Sequence, residues 1–318
     1  MSRPKILVVG SFMMDLIAST RRAPAEGETV IGLGFRTAPG GKGANQAMQC
    51  ARLGADVTMV GRVGGDAFGR AILETAASGG IDISHVTVDE NESSGVAHIT
   101  LEVSENDARN RITVCPGANF TMKSEHIAWL QERIGDYDIV MMQLELPMEI
   151  IETVAQWANE AGVPVMLNPA PAAPLSDALL SHVTYLSPNE HEAALLSGHP
   201  ISVENGINYD DVRAAADWFA AKGVRKLIIT MGGNGSVFAA GGETAHVDCV
   251  HMDKVADTTA AGDSFVAAFC FGVSSGMPEK EALRFASYTA AITVSRMGAI
   301  PSLPTMDEVR ALMREREG

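Results

Sequence analysis

Asp257-Thr258-Thr259-Ala260-Ala261-Gly262-Asp263 is the stretch on which the reading of this 318-residue chain turns. Two carboxylates stand six residues apart around a run of small side chains. Ala260, Ala261 and Gly262 leave room for a ligand to come close to the backbone. Phe265, Ala268, Phe269 and Gly272 then recur at helical spacing, so the loop opens a buried helix. The first turn of such a helix carries unpaired N–H groups and a partial positive charge, which suits a phosphate or an oxyanion. Asp263 stands at that mouth, where its carboxylate can take a proton from a hydroxyl that attacks a phosphoryl group. Taken alone, either aspartate reads more readily as a helix cap. The surrounding chain decides between the two.

Strand and helix patterns alternate through most of the sequence. Residues 5–9 form a β-rich run that ends in Gly10-Ser11, with Asp15 close behind. Pro39-Gly40-Gly41-Lys42-Gly43-Ala44-Asn45 runs into a helix ending near Leu53, before a strand at 57–60 and a helix at 67–77. Beyond residue 120 the pattern predicts helices over 123–134, 147–161, 189–197 and 210–222, and strands over 138–143, 164–168, 184–187 and 226–230. A hairpin around Gly241-Gly242, long helices at 262–275 and 279–297, and a charged surface helix at 306–317 complete it. This predicts an α/β fold with a central, mostly parallel sheet flanked by helices in Rossmann-type layers, as one domain over 1–318. Two segments depart from the pattern. Residues 28–36 read as an irregular strand, and 95–115 as a hairpin with one apolar and one polar face around a turn rich in Glu, Asn and Asp. Neither suits a sheet covered on both faces, so residues of about 16–38 and 95–116 are expected to form a small β-sheet lid. Exposed lid strands with an apolar face would pair with a second copy, which predicts a homodimer through the lid.

Composition narrows the function. A net charge of −15 argues against a nucleic-acid or anionic-membrane partner. Backbone amides, a helix terminus or a metal ion can still hold a phosphate locally. Apolar residues make up 46% of the chain, and no apolar run approaches the length of a membrane span. Cys50, Cys115, Cys249 and Cys270 show no CxxC spacing, so reduced thiols and a cytoplasmic setting are the simplest reading. There is no GxGxxG, and Gly40-Gly41-Lys42-Gly43 fails the GxxxxGK[ST] pattern because Gly43 follows Lys42. HExxH and GxSxG are also absent, which removes the commonest zinc-protease and esterase readings.

What remains is a set of polar clusters, each just after a predicted strand. The glycines at 40–43 read either as a helix-entry turn or as a floor for a small polyol, with Lys42 and Asn45 as donors. Glu145, after the strand at 138–143, is a loop glutamate or a site carboxylate, since ligands in open α/β sheets bind beyond the carboxyl ends of strands. Asn168-Pro169 and Asn189-Glu190 follow strands too, and such residues can orient Mg²⁺-bound waters and phosphates. Thr230-Met231-Gly232-Gly233-Asn234-Gly235 is a plain turn or a cradle of N–H groups for a nucleotide phosphate. All five clusters fall at one predicted edge of one sheet.

With these residues in place, the chain resembles the ribokinase-type PfkB carbohydrate kinases from about residue 5 to 305. The resemblance rests on Gly40-Gly41-Lys42-Gly43-Ala44-Asn45-Gln46-Ala47 and on the 257–263 run. Asn168-Pro169-Ala170-Pro171-Ala172, Ser187-Pro188-Asn189-Glu190 and Gly298-Ala299-Ile300-Pro301-Ser302 add to it. It implies Mg²⁺- and ATP-dependent phosphorylation of a pentose, D-ribose at its 5-hydroxyl. Asp263 matches the family's catalytic base, and Ala260, Ala261 and Gly262 match its anion hole. Asp15, Gly41, Lys42, Gly43, Asn45 and Glu145 match sugar-binding positions. Asn189, Thr230, Gly232, Gly233, Asn234, Gly235, Gly262 and Ser287 match nucleotide positions, with Glu190 associated with Mg²⁺. Asp257, Thr259, Thr293, Arg296, Gly298 and Ser302 match positions that coordinate a monovalent cation, K⁺. At Met13, a sugar-facing position, some members have Asn; others, including relatives that act on 2-deoxyribose, have Met. The rival acceptors are therefore 2-deoxyribose or a nucleoside, and outside the enzymes a sugar- or nucleotide-binding sensor.

Overall fold

The chain enters on β1 (Lys5–Val9), whose aliphatic residues are buried from Ile6 onward. The computed structural model describes residues 3–103, 108–203 and 206–317. After β1 come β2 (Met13–Thr20), β3 (Gly34–Gly40), α1 (Lys42–Arg52), β4 (Asp56–Gly64), α2 (Ala67–Ser78) and β5 (Asp82–Asp89). The middle of the chain holds β6 (Gly95–Val103), β7 (Ala108–Cys115), the single turns α3 (Ser124–Ile127) and α4 (Leu130–Arg133), β8 (Ile139–Gln143), α5 (Met148–Glu160) and β9 (Val165–Asn168). Next are α6 (Asp177–His182), β10 (Tyr185–Leu186), α7 (Glu190–Ser197), α8 (Tyr209–Ala221), β11 (Lys226–Thr230), β12 (Ser236–Ala240) and β13 (Glu243–Val247). The long helices α9 (Ala261–Ser274) and α10 (Glu279–Val294) and the terminal α11 (Met306–Glu317) complete the chain.

Among the described residues, nine strands form the main sheet in the order β13-β12-β11-β10-β9-β8-β1-β4-β5. It is parallel from β11 to β5, and β12 and β13 turn back antiparallel at one edge. Period-two alternation splits the core between its two faces. Ile6 and Val8 join the cluster beneath α1, α9 and α10, while Leu7 and Val9 join the one beneath α5 and α8. Ten consecutive residues of α9, Asp263 to Gly272, are buried, so this helix is enclosed on all sides. The expected α/β architecture is what the chain adopts. No helix among the described residues is long and apolar enough to cross a membrane.

A second sheet, β3-β2-β6-β7, lies apart from the first. Its central pair, β2 and β6, is parallel, and both outer pairs are antiparallel. The register sets Met13 beside Gly40 and Gly95, and Asp15 beside Ala38 and Ala97. This lid begins at Met13 rather than 16, so Met13 and Asp15 stand on a lid strand. Residues 28–33, expected to be part of a strand, lie outside one; the glycines at 32 and 34 carry no side chain to pack, and pairing starts only at Gly34. The predicted Glu/Asn/Asp-rich turn, residues 104–107, lies outside the described residues.

Three further departures have local causes. β5 carries Ser, His and Thr between aspartates, an edge-strand composition without a continuous apolar run. The predicted helix at 123–134 breaks into α3 and α4 around Ala128 and Trp129, where the Trp129 ring stacks on His85 with centroids 3.5 Å apart. α10 stops at Val294 rather than 297, and the chain then turns through Gly298 at φ 86°.

The site is positioned by close backbone packing where α1 starts. A Cβ on Gly43 would sit 2.5 Å from the Ser11 nitrogen and 2.6 Å from the Gly10 carbonyl carbon. Gly41, at φ 95°, makes the turn that seats the helix there. α1 therefore presses its first turn onto the carboxyl end of β1.

Candidate active site

Ser11, Glu145, Asn168, Asn189 and Thr230 all lie at or just beyond the carboxyl ends of parallel strands, and the first turns of α1 and α9 meet above them. Asp263, 7% exposed, is the point of contact. Its Oδ2 accepts from Asn45 Nδ2 at 2.9 Å and its Oδ1 from Gln46 Nε2 at 3.1 Å. The Gln46 amide also donates to Asn168 Oδ1 at 3.3 Å and accepts from Gln143 Nε2 at 2.6 Å. Asn168 Nδ2 in turn donates to the Ser187 carbonyl at 2.9 Å. Gln46 and Gln143 were not among the residues expected at the site. Their signal is a polar amide in a buried run: Gln143 ends the otherwise apolar β8, and Gln46 follows the glycines at 40–43.

Ala260 precedes α9 at φ 60°, the one positive φ at a non-glycine among the described residues, at a cost of about 1–2 kcal/mol. No side chain caps α9. The Ala261 N–H donates to the Thr258 carbonyl at 3.2 Å, whereas those of Gly262 and Asp263 meet no acceptor among the described residues. These two N–H groups, together with the helix dipole, can hold an anion.

Between lid and body, Met13, Asp15, Gly41, Lys42, Asn45, Glu145 and Asp263 line one pocket, closed on the lid side by Ala97, Ile99, Ile112 and Val114. Gly43 does not line it; its place is against Gly10 and Ser11. Glu145 is held by the Ser11 hydroxyl and by the Lys42 N–H at 3.1 Å. Burial, then the charge of Glu145, raises the Asp15 carboxyl to about 6; Arg36 opposes this and Asp263 adds to it. Burial likewise raises Glu145, against the pull of Lys42. For Lys42, burial alone would lower the ammonium, but Asp263, Glu145 and Glu192 together outweigh it and the group ends above its ordinary value. One buried cation thus serves three carboxylates.

Lys42, Ala260 and Asp263 also line a second hollow that continues from the pocket past Asn168, Asn189, Glu192, Thr230 and Gly262. A largely apolar slot follows, bounded by Thr230, Gly232, Gly235, Gly262 and Ser287. Gly233 and Asn234 stand on the exposed turn beside it, where the Asn234 carbonyl meets the His246 ring at 2.9 Å. Glu192 is the acidic side chain that faces the middle hollow; Glu190 lies 4.0 Å from His191. Helix phase explains the difference. Asn189 caps α7, its side chain accepting from the Glu192 N–H at 2.8 Å, and that pairing turns Glu192 inward. Burial raises Glu192. No group of three or more His, Cys, Asp or Glu side chains that could hold a metal occurs among the described residues. Glu192 and Asn189 give this hollow one carboxylate and one amide, a sparse oxygen set of the kind a phosphate-bound Mg²⁺ ion would use.

The six positions matched to a monovalent cation lie behind α9. Asp257 accepts from the Thr259 N–H at 3.0 Å, the Thr259 hydroxyl at 2.6 Å and the Gly298 N–H at 2.9 Å. Burial works against this carboxylate, but those three bonds outweigh it and hold Asp257 below its ordinary range. Thr293 donates to Ser264 Oγ, 3.0 Å away in the first turn of α9, and Ser302 to the Ala299 carbonyl at 2.7 Å. The Arg296 guanidinium points away to Glu308 at 2.7 Å. Of the six, Asp257, Thr259, Thr293 and Ser302 carry oxygen-bearing side chains, the donor type a monovalent cation would use.

The family model for the pfkB family carbohydrate kinases matches residues 3–306. A ribokinase from Schizosaccharomyces pombe is 43% identical over 315 residues, covering 96% of each chain. A deoxyribokinase from Salmonella typhi is 34% identical over 305 residues, 95% of this chain and 96% of that one. Among solved structures, Arabidopsis thaliana ribokinase complexed with ribose and ATP has a TM-score of 0.89 at 34% identity, covering 98% of this chain and 99% of that one. A match of this extent, over a cleft that joins a carboxylate, free helix N–H groups and a lidded pocket, means that the chain belongs to the pfkB family of carbohydrate kinases and is an ATP-dependent sugar kinase.

Proposed function

We propose that the enzyme phosphorylates D-ribose at its 5-hydroxyl with ATP, using Asp263 as the general base. The observation that carries this reading is the position of Asp263, whose carboxylate lines both the lidded pocket and the hollow that leads to the nucleotide slot. Asp15, Asn45, Lys42 and Glu145 bind and orient the pentose. Asp263 takes the hydroxyl proton as the oxygen attacks, and the N–H groups of Gly262 and Asp263 stabilise charge on the transferred phosphoryl. Mg²⁺ carried with ATP would offset phosphate charge, with Glu192 and Asn189 as the side chains facing it. The lid walls Ala97, Ile99, Ile112 and Val114 exclude water and so limit ATP hydrolysis. Thr230, Gly232, Gly235 and Ser287 line the slot for the nucleotide. We place the enzyme in the cytoplasm, a setting in keeping with its four free cysteines.

A second acceptor, 2-deoxyribose, is favoured by Met13. This side chain is 2% exposed, lines the pocket, and has its sulfur 3.8 Å from Asn119 Nδ2. A thioether is a weak acceptor that adds mostly apolar contact, so it does not penalise a missing hydroxyl.

Four outcomes test these readings. Asp263→Asn keeps the side chain's shape and removes the base, so turnover should fall roughly 10²–10⁴-fold while sugar binding changes little; near-normal turnover in a folded variant would refute the mechanism. With K⁺ in place of Na⁺ or a bulky organic cation at constant ionic strength, activity should rise, because a cation at Asp257 orders the amides ahead of α9. A flat response removes that site. Met13→Asn should raise the ratio of kcat/KM for ribose over 2-deoxyribose about tenfold or more, equivalent to roughly 1.4 kcal/mol; an unchanged ratio means Met13 only packs against the lid. Ile112, Val114 and Val103 stay 52%, 48% and 39% exposed on one face of the lid sheet, the face that also roofs the pocket, and we assign its uncovered part to a homodimer. Sedimentation should give twice the 33.5 kDa chain mass at micromolar concentration, and a monomer there would exclude the dimer.

A further inference from the structure

We propose that Gln46 is the positioning residue of the catalytic base: it pins Oδ1 of Asp263, leaving Oδ2 to take the proton from the sugar hydroxyl. This rests on the reading of Asp263 as the base. The two oxygens of Asp263 are held in unlike ways. Gln46, fully buried, spends its amide N–H groups on Asp263 Oδ1 at 3.1 Å and Asn168 Oδ1 at 3.3 Å. Its own carbonyl accepts from Gln143 Nε2 at 2.6 Å, and Gln143 is fully buried too. That donor fixes which way the Gln46 amide faces. Turned over, its oxygen would confront two acceptors, and the Gln143 donor would meet another donor. Asn168 is anchored in turn to the Ser187 carbonyl at 2.9 Å. Oδ1 is thus tied through three amides to the ends of β8, β9 and the segment after β10.

Oδ2 has a looser partner. Asn45 Nδ2 reaches it at 2.9 Å, but Asn45 lines the sugar pocket and its Oδ1 is buried with no hydrogen-bond partner. An amide with one unused end gains by turning toward a sugar hydroxyl, and that turn releases Oδ2 to the reacting hydroxyl. The charged groups facing Asp263 are Lys42 on α1, Asp15 on β2, Glu145 after β8 and Glu192 on α7. None of them touches Oδ1 as Gln46 does.

The test uses Gln46→Leu and the shape-preserving Gln46→Glu, each alone and combined with Asp263→Asn, with thermal melting to establish folding. A hydrogen bond donated to a carboxylate favours its charged form, so its loss should move the acid limb of the kcat profile to higher pH. In Gln46→Glu, where two carboxyl groups face each other, activity should still be rising with pH where the parent enzyme is flat. At neutral pH kcat should fall roughly 10- to 100-fold, the range for a lost hydrogen bond to a charged group, with KM for ribose and ATP within a few-fold. Neither substitution should reduce the residual activity of Asp263→Asn further. If Gln46→Leu does not fold, Gln46→Glu carries the same readouts. An unmoved acid limb, a rise in KM that accounts for the loss, or an equal loss in the Asp263→Asn background would overturn the proposal. Near-normal turnover of Asp263→Asn itself refutes the base and not Gln46 alone.

Discussion

Everything at this site depends on one buried carboxylate held by a helix more than two hundred residues away in the chain. Taking an aspartate out of water is costly unless its oxygens are hydrogen-bonded. Here two consecutive residues of α1 supply the donors, Asn45 to one oxygen and Gln46 to the other, and the first turn of α9 adds its dipole. The same contacts that offset the desolvation of Asp263 also join α1 to α9. Stability of the helix pair and placement of the Asp263 carboxylate are therefore one interaction.

That contact demands close approach, and small residues provide it. α1 reaches its place only because Gly43 lies against the backbone of Gly10 and Ser11 with no room for a methyl group. On the opposing side, Ala260 adopts a left-handed conformation that turns the start of α9 toward the cleft. The strain at Ala260 sits next to the free N–H groups of Gly262 and Asp263, as expected where backbone geometry serves a ligand. Asp257, bonded to Thr259 on one side and Gly298 on the other, braces that turn from behind.

The electrostatics of the pocket follow from its crowding. Glu145, Glu192 and Asp263 converge on Lys42 while Asp15 sits among Glu145, Asp263 and Arg36, so the raised Asp15 and Glu145 carboxyls reflect burial among like charges more than any single neighbour. The lid contributes directly to this field, because Asp15 stands on β2, a lid strand. Separation of lid from body would remove one of the carboxylates that line the pocket together with the cover.

Much of this was legible from residue order alone. Period-two runs and helical spacing report how each segment buries its own side chains, so the parallel sheet, the enclosed helix α9 and the separate lid sheet could be read locally. The run from Asp257 to Asp263 and the glycines at 40–43 were legible for a similar reason, since close approach to a backbone needs small residues whatever the partner. What the sequence left open depended on partners distant in the chain. Glutamine at 46 has no chemistry until Asp263, Asn168 and Gln143 surround it. Which of Glu190 and Glu192 faces the cleft followed from the helix phase set by the Asn189 cap, and Gly43 proved to be a packing contact and not a pocket wall. β5 and the start of the lid at Met13 were settled by pairing across strands. Sequence by itself determined the elements and the small residues that let backbones meet; tertiary structure decided which polar atoms face one another, because hydrogen bonds have a direction that residue order does not carry.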